Sequence, residues 1–350
     1  MKLRHPLSGA VYTKREDGHV LVVEDGRTGV FRTDGRWLSG EIRHADPHLL
    51  NWLEGEVALP NRRTAGAVSA PAEAVRPVGV PLPTLGSTKL RTHGRRTGMD
   101  LGLEGRKALI TASTRGIGLA IAQTFADEGC DLAICARGEG GLESARKDLE
   151  GRGAKVFTRA VDVADGEAFK QFVSDGAEAL GGLDIYVSNA SGGAGPGEKA
   201  WQASFDVDVM GAVRGVNAAL PSLSESDAGS VIFISSTAAL EYLGIPQAYN
   251  AMKAALIAHA GDLSQALAGQ GVRVNVITPG PIYFEGGNWE MIKQAMPKMY
   301  EGAVQQCAIG RMGTPEEVAR ATVFLASPAA SLITGANLVC DGGFTKRNPF

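Results

Sequence analysis

The chain has 350 residues, of which 44% are hydrophobic and 21% charged, and its formal net charge is −3. That length exceeds one ordinary domain and supplies ample apolar residues for a packed core, so one large domain plus a smaller one is expected. A slightly acidic chain with no apolar run near the ~20 residues of a bilayer span points away from nucleic acid and membrane as partners. In chain order, residues 1–57 carry Asp17-Gly18, Asp25-Gly26 and Asp34-Gly35, set between the short apolar runs Ala10–Tyr12, Val20–Val23, Gly29–Phe31 and Trp37-Leu38. Asp-Gly supplies the positive φ of tight hairpins, which predicts a small antiparallel β-meander. Phe31, Trp37 and Trp52 would form its core, or pack on the larger domain or a neighbouring subunit. Asp46-Pro47 as cap and first helical residue, with Gly55 near the end, predicts one short helix. His44 and His48 are four apart, but Pro47 interrupts a shared face, and a structural role is preferred to metal ligation.

Residues 58–98 are rich in Pro, Ala, Gly and basic side chains, with Pro60, Pro71, Pro77, Pro81 and Pro83 breaking any periodicity. They read as an extended linker. From Met99 to the end, unbroken apolar runs alternate with helical patterns. Candidate strands are Lys107–Thr111, Asp131–Ala136, Lys155–Val161, Leu183–Ser188, Val231–Ser235, Val272–Thr278 and Asn337–Cys340. Runs of this kind suit strands covered on both faces, so residues 99–350 are expected to form a Rossmann-like, doubly wound parallel α/β sheet with helices on both sides. Its ligand would lie at the carboxyl ends of the strands.

Directly after the first of these strands comes Thr111-Ala-Ser-Thr-Arg-Gly-Ile-Gly118 and then an apolar helix. Such a turn offers backbone N–H groups and a helix N-terminus to a pyrophosphate, although similar turns also serve only to pack helix on strand. The second strand ends Cys135-Ala136-Arg137, without the acid that usually holds a ribose 2′-hydroxyl. Arg115 and Arg137 would suit a 2′-phosphate, favouring NADP(H) over NAD(H); two solvated arginines are the alternative. Asp162, after the third strand, is placed for the adenine edge or for a helix cap.

Farther on, Val231–Ser236 reads as a strand ending in hydroxyls, and Tyr249-Asn-Ala-Met-Lys253 opens a long helix. Residues four apart share one helical face, where an ammonium favours a phenolate. A serine hydroxyl can hold a carbonyl or alcohol oxygen. Together the three can move a proton on and off oxygen while a nicotinamide moves a hydride. The four cysteines, Cys130, Cys135, Cys307 and Cys340, are scattered, with no C-x-x-C pair. A reducing cytoplasm, no disulfide framework and no metal are expected.

From about Met99 to Gly343 these motifs, in this order, resemble the short-chain dehydrogenase/reductase family, in particular its 3-oxoacyl-(acyl carrier protein) reductase-like branch. The matching positions are the glycine turn, Asp162, Asn189-Ala190, Ser236 thirteen residues before Tyr249, Lys253 and Pro279-Gly280. The resemblance implies Tyr249 as general acid/base, Ser236 orienting the substrate oxygen, and Lys253 binding the nicotinamide ribose and favouring the phenolate. It implies cofactor contacts from Thr111, Ser113, Thr114, Arg115, Gly116, Ile117, Gly118, Arg137, Asp162, Val163, Asn189, Ala190, Tyr249, Lys253, Pro279, Gly280 and Ile282. It also implies a homotetramer or homodimer.

Three departures stand out. Ala112 replaces the first glycine of the turn, Ser188 and Ser191 flank Asn189-Ala190, and Asp208 stands where the family usually has an asparagine of the proton relay. Asp208 is expected to remain in the relay. The segment Pro281–Tyr300, with Gly286-Gly287 as hinge and Trp289, Met291, Ile292, Met296 and Met299 as a deformable underside, would form a lid over the nicotinamide, or else make core or subunit contacts. A ketone/secondary alcohol pair, fairly large and apolar or acyl-type, is the expected substrate. A cofactor-binding scaffold or sensor is the other class of function the sequence allows, and epimerisation or dehydration on the same scaffold stays open. The intact Ser236, Tyr249 and Lys253 favour turnover.

Overall fold

The structure is a computed structural model that describes residues 2–4, 10–32, 36–43, 45, 99–193, 195, 197–242 and 246–346. The expected helix at 46–53, the His44/His48 pair, Trp52, the Asp34-Gly35 turn and the linker up to residue 98 lie outside the described residues. The chain divides into two units, Met1–Arg91 and Thr92–Phe350.

In the first unit, β1 (Lys2–Arg4), β2 (Val11–Lys14), β3 (Val20–Glu24), β4 (Arg27–Phe31) and β5 (Trp37–Gly40) pair in sequence order, all antiparallel. The β3–β4 turn has both central residues at positive φ, Asp25 at 50° and Gly26 at 78°, the geometry whose twist matches a hairpin. Alternate residues point to one face, which buries Tyr12, Val20, Val22 and Phe31 around Ala10. Trp37 lies outside this core. It is 39% exposed, with the Arg43 guanidinium 5.2 Å from the ring centroid. All four residues of β5 are exposed at the edge of this sheet, so a cation rather than a core covers the ring.

The second unit holds seven parallel strands, β6 (Lys107–Thr111), β7 (Asp131–Ala136), β8 (Val156–Ala160), β9 (Ile185–Ser188), β10 (Ser230–Ile234), β11 (Arg273–Pro279) and β12 (Asn337–Cys340). Their spatial order is β12-β11-β10-β9-β6-β7-β8. Successive side chains feed opposite layers, which explains the continuous apolar runs. Ala108, Ile110, Leu132, Ile134, Ile185, Ile232 and Ile277 meet helices α1 (Gly116–Asp127), α2 (Glu139–Gly151) and α9 (Pro315–Ala326). Leu109, Ala133, Tyr186, Val231, Phe233, Val274 and Val276 meet α3 (Gly166–Leu180), α5 (Gly211–Glu225) and α6 (Ala248–Leu267). Fully burying one of the larger side chains, such as Phe125 or Phe169, contributes about 1.5–3 kcal/mol. Between these elements lie α4 (Gly197–Ser204), a π-helical turn Phe205–Met210, α7 (Asn288–Ala295) and α8 (Pro297–Gln306).

The sequence order of the strands reverses at β6, which has β7 on one side and β9 on the other. Such a switch point opens a crevice at the strands' carboxyl ends. At the opposite end of β11, half-buried Arg273 ties the sheet to the end of α9. Its Nη1 donates to Leu325 O at 2.8 Å and Ile333 O at 3.2 Å, and its Nη2 to Ala326 O at 2.8 Å and Ser327 O at 3.0 Å. These include carbonyls at a helix C-terminus, which have no intrahelical donor and attract a cation. Arg273→Met should therefore lower stability by about 1–3 kcal/mol, read as a drop of roughly 3–10 °C in the melting temperature. An unchanged melting temperature would show that those carbonyls find other donors.

Candidate active site

The glycine turn sits at the switch point because β6 and β9 are stitched together there. Thr111 Oγ1 accepts from the backbone N–H groups of Asn189 at 2.8 Å and Ala190 at 2.9 Å, and Asn189 Nδ2 donates to Thr111 O at 3.0 Å and Ala112 O at 3.2 Å. Ser113 is buried, with its hydroxyl on Ile110 O at 2.7 Å and its N–H on Cys135 O at 3.2 Å. Four of the expected cofactor residues thus build the turn itself.

The chain then enters α1, whose first-turn N–H groups have no intrahelical acceptors and whose first turn carries no acid to compete for an anion. Gly116 has φ +54°, and a Cβ there would fall 2.6 Å from the Phe284 ring. A Cβ at Gly118 would strike Ala112 O and lie 2.5 Å from Asn189 Nδ2. Both positions accept only glycine, so no side chain intrudes on the backbone of the turn there. The cradle therefore fits a dinucleotide pyrophosphate.

Ala112 has φ +54°, in the left-handed region. The cost of an alanine at this position is backbone strain rather than the bulk of a methyl group.

The remaining expected cofactor residues are spread around this turn. Arg115 and Arg137 are exposed, and Arg115 Nη1 donates to Gly286 O at 3.3 Å, across to the segment after β11. The Asp162 carboxylate accepts from Ala164 N at 2.9 Å, while the cap of α3 is Asp165, which accepts from Ala168 N at 3.1 Å. Asp162 is thus a turn residue and not a helix cap. Val163 is buried against Gly211, where a Cβ would overlap its side chain. Gly280 donates to Cys340 O at 3.0 Å, and Ile282 is buried in the core layer and bridged to Gly313.

Ser236 follows β10 in extended backbone, its hydroxyl accepting from Ala238 N at 3.2 Å, and the 3-10 turn after it packs on α6. Tyr249 lies in the first turn of α6, with Lys253 one turn on. Lys253 Nζ lies 5.7 Å from the Tyr249 ring centroid and donates to Ile234 O at 3.0 Å, while Ser235 Oγ donates to Lys253 O at 2.9 Å. The Asp208 carboxylate, on the π-helical turn, pairs with the ammonium at 2.9 Å; the two side chains are 0% and 3% exposed. Asp208 Oδ2 accepts from Gly192 N at 2.8 Å. The structure gathers Lys253, Tyr249, Asp208 and the end of β10 at one place, at the carboxyl end of the sheet.

The segment after β11 differs in detail from the sequence expectation. Met291, Met296 and Met299 are 59%, 50% and 53% exposed, so they do not form a buried underside. Of the expected underside Trp289 does pack inward, and with Tyr283 and Tyr300 it surrounds Ala303, Cys307, Met312 and Phe344. Lys293 Nζ lies 5.3 Å and 5.4 Å from the Tyr283 and Tyr300 ring centroids, joining α7 and α8 to this segment. The C-terminal stretch, which sequence reasoning passed over, donates from Lys346 N to the Glu241 carboxylate at 2.8 Å, just beyond Ser236 and its 3-10 turn. Gly192 was also missed. It contributes only a backbone N–H, which leaves no side-chain signal.

All four cysteines are free thiols, and burial pushes those of Cys130 and Cys135 up to about 12. Among the described residues no helix is long and apolar enough to cross a membrane. Ala112→Gly should relieve about 1–2 kcal/mol of left-handed strain and return part of it as unfolded-chain entropy. The net outcome is a melting temperature raised by roughly 1–4 °C with cofactor affinity retained. A lower melting temperature would show that the methyl group contributes packing that outweighs its strain.

Comparison with known proteins bears on this geometry. Residues 111–345 match the family model described as enoyl-(acyl carrier protein) reductase. The isoepoxydon dehydrogenase patN of Penicillium expansum is 40% identical over 253 residues, covering 70% of this chain and 96% of that protein. Dehydrogenase/reductase SDR family member 4 of Oryctolagus cuniculus is 34% identical over 253 residues, covering 70% and 95%. Among solved structures, L-sorbose reductase from Gluconobacter frateurii, complexed with NADPH and L-sorbose, superposes with a TM-score of 0.66. It is 34% identical and covers 71% of this chain and all of that one, 100%. With its glycine turn at the switch point and its tyrosine and lysine one helical turn apart, the chain belongs to the short-chain dehydrogenase/reductase family.

Proposed function

We propose that this oxidoreductase uses NADP(H) to interconvert a ketone and a secondary alcohol. The observation that carries the reading is the Lys253 ammonium, buried one turn beyond Tyr249 at the crevice beside the glycine cradle. The nicotinamide would supply or accept the hydride. Tyr249 would deliver the proton to the carbonyl oxygen in reduction and remove it in oxidation, acting as general acid and base. Ser236 would hold that oxygen in line. Lys253 has three N–H donors; one is on Ile234 O, and the ion pair with Asp208 leaves donor capacity for the cofactor ribose. The ammonium also favours the phenolate whenever Tyr249 gives up its proton.

Thr111, Ser113, Asn189 and Ala190 would hold the turn's shape, and Thr114, Arg115, Gly116, Ile117 and Gly118 would face the pyrophosphate. Arg115 and Arg137 would receive a 2′-phosphate, and no acid at the end of β7 opposes it. Asp162 and Val163 would border the adenine, and Pro279, Gly280 and Ile282 the nicotinamide. The aromatic wall of Tyr283, Trp289 and Tyr300 favours a fairly large apolar or acyl-type substrate. The protein is proposed to act in the cytoplasm as a homodimer or homotetramer.

The test is a screen of apolar ketones of graded size, together with L-sorbose, against NADPH and NADH. Tyr249→Phe should keep NADPH binding and lose about 10²–10⁴-fold in kcat. Arg137→Ala should weaken NADPH selectively, by roughly tenfold relative to NADH. Tight NADPH binding without turnover of any ketone or alcohol would favour a cofactor-binding scaffold instead, and faster turnover with NADH would overturn the cofactor assignment.

A further inference from the structure

Both oxygens of the Asp208 carboxylate face donors on different parts of the crevice. Oδ1 lies 2.9 Å from Lys253 Nζ on α6, and Oδ2 accepts at 2.8 Å from the N–H of Gly192 in the loop after β9. Among the described residues Oδ1 makes no hydrogen bond, so its link to Lys253 is the ion pair alone. The side chain is fully buried and stands on the π-helical turn Phe205–Met210, an irregular turn that tends to mark functional sites.

We propose that Asp208 is a positioning residue, a carboxylate strut that fixes the cofactor-facing direction of Lys253 and locks the loop at Gly192 to it. The inference rests on the reading that Lys253 holds the nicotinamide ribose.

An asparagine cannot replace this strut. An amide has one acceptor oxygen and an NH₂ group, so one of the two donors would face another donor. The ammonium would also lose its anion in a site with almost no solvent, and an unpaired buried charge is costly. The direct ion pair thus takes over a position that the sequence alone assigned to a proton relay. Asp208 acts by holding Lys253 in place, with no requirement that it pass a proton.

The titratable groups facing the ammonium are Asp208 from the π-helical turn and Tyr249 from its own helix. β10 contributes the Ile234 carbonyl, while the Ser235 hydroxyl donates to the Lys253 backbone carbonyl.

The experiment is a double-mutant cycle on the full chain, with the NADPH dissociation constant read by fluorescence. Asp208→Asn alone should weaken NADPH about tenfold. In a Lys253→Met background the same substitution should change the NADPH dissociation constant by less than about twofold, because no ammonium remains to be held.

Equal losses in both backgrounds would overturn the proposal and leave Asp208 a purely structural group. An unchanged constant for Asp208→Asn would overturn it as well. If Asp208→Asn does not fold, Lys253→Met and Asp208→Asn/Lys253→Met, which carry no buried unpaired ammonium, are compared by thermal unfolding. The strut predicts that the double variant folds, and failure of that chain to fold counts against it. Should the wild-type chain bind neither NADPH nor NADH, the reading on which the inference rests has failed first, and that outcome is distinct from all of these.

Discussion

An ammonium with 3% of its side chain exposed needs an anion, and here the Asp208 carboxylate lies 2.9 Å away. Removing one partner of such a pair typically costs about 3–5 kcal/mol, far more than the intact pair adds over an apolar replacement. The arrangement is therefore a constraint on geometry more than a source of stability. It obliges α6, the π-helical turn and the loop after β9 to meet at one carboxylate, and Tyr249 is placed by the same helix that carries Lys253.

The dinucleotide cradle obeys a different constraint, that of close approach. Gly116 lies against the Phe284 ring and Gly118 against Ala112 O and Asn189, so backbone packs closely where a Cβ could not fit. Thr111 and Asn189 hold this shape by exchanging hydrogen bonds between β6 and β9. Ala112 adopts the left-handed conformation without being glycine. Such strain persists only where the surroundings over-determine the backbone, as these cross-strand bonds do here.

Beside the glycine turn, the segment after β11 combines an aromatic cluster with a lysine held between two tyrosines, and the C-terminal stretch joins that cluster through Phe344. Methionines that looked like a lining in the sequence face outward instead. Helical spacing gives the relative phase of residues on a helix, but it does not say which face turns inward. That depends on the partner surface, and here the partners Ala303, Cys307 and Phe344 come from sequence-distant positions.

Much was legible in the residues themselves. Unbroken apolar runs gave the seven strands within one or two residues, because strands buried on both faces need no alternation. Asp25-Gly26 marked a hairpin through its demand for positive φ, and the four-residue spacing of Tyr249 and Lys253 placed them on one face of a helix. These features depend on local chain geometry, which neighbouring residues dictate.

The rest required the folded chain. That Asp208 would salt-bridge Lys253, that its second oxygen would take the Gly192 amide, that Trp37 would lie exposed beneath Arg43, and that Phe284 would cover Gly116 are all contacts between segments far apart in sequence. No local preference encodes them. Sequence determined which elements form and which chemistry they carry, because those follow from the dihedral and burial preferences of adjacent residues. Tertiary structure decided which of those groups meet, because only packing of the sheet against its two helical layers fixes distances across the crevice.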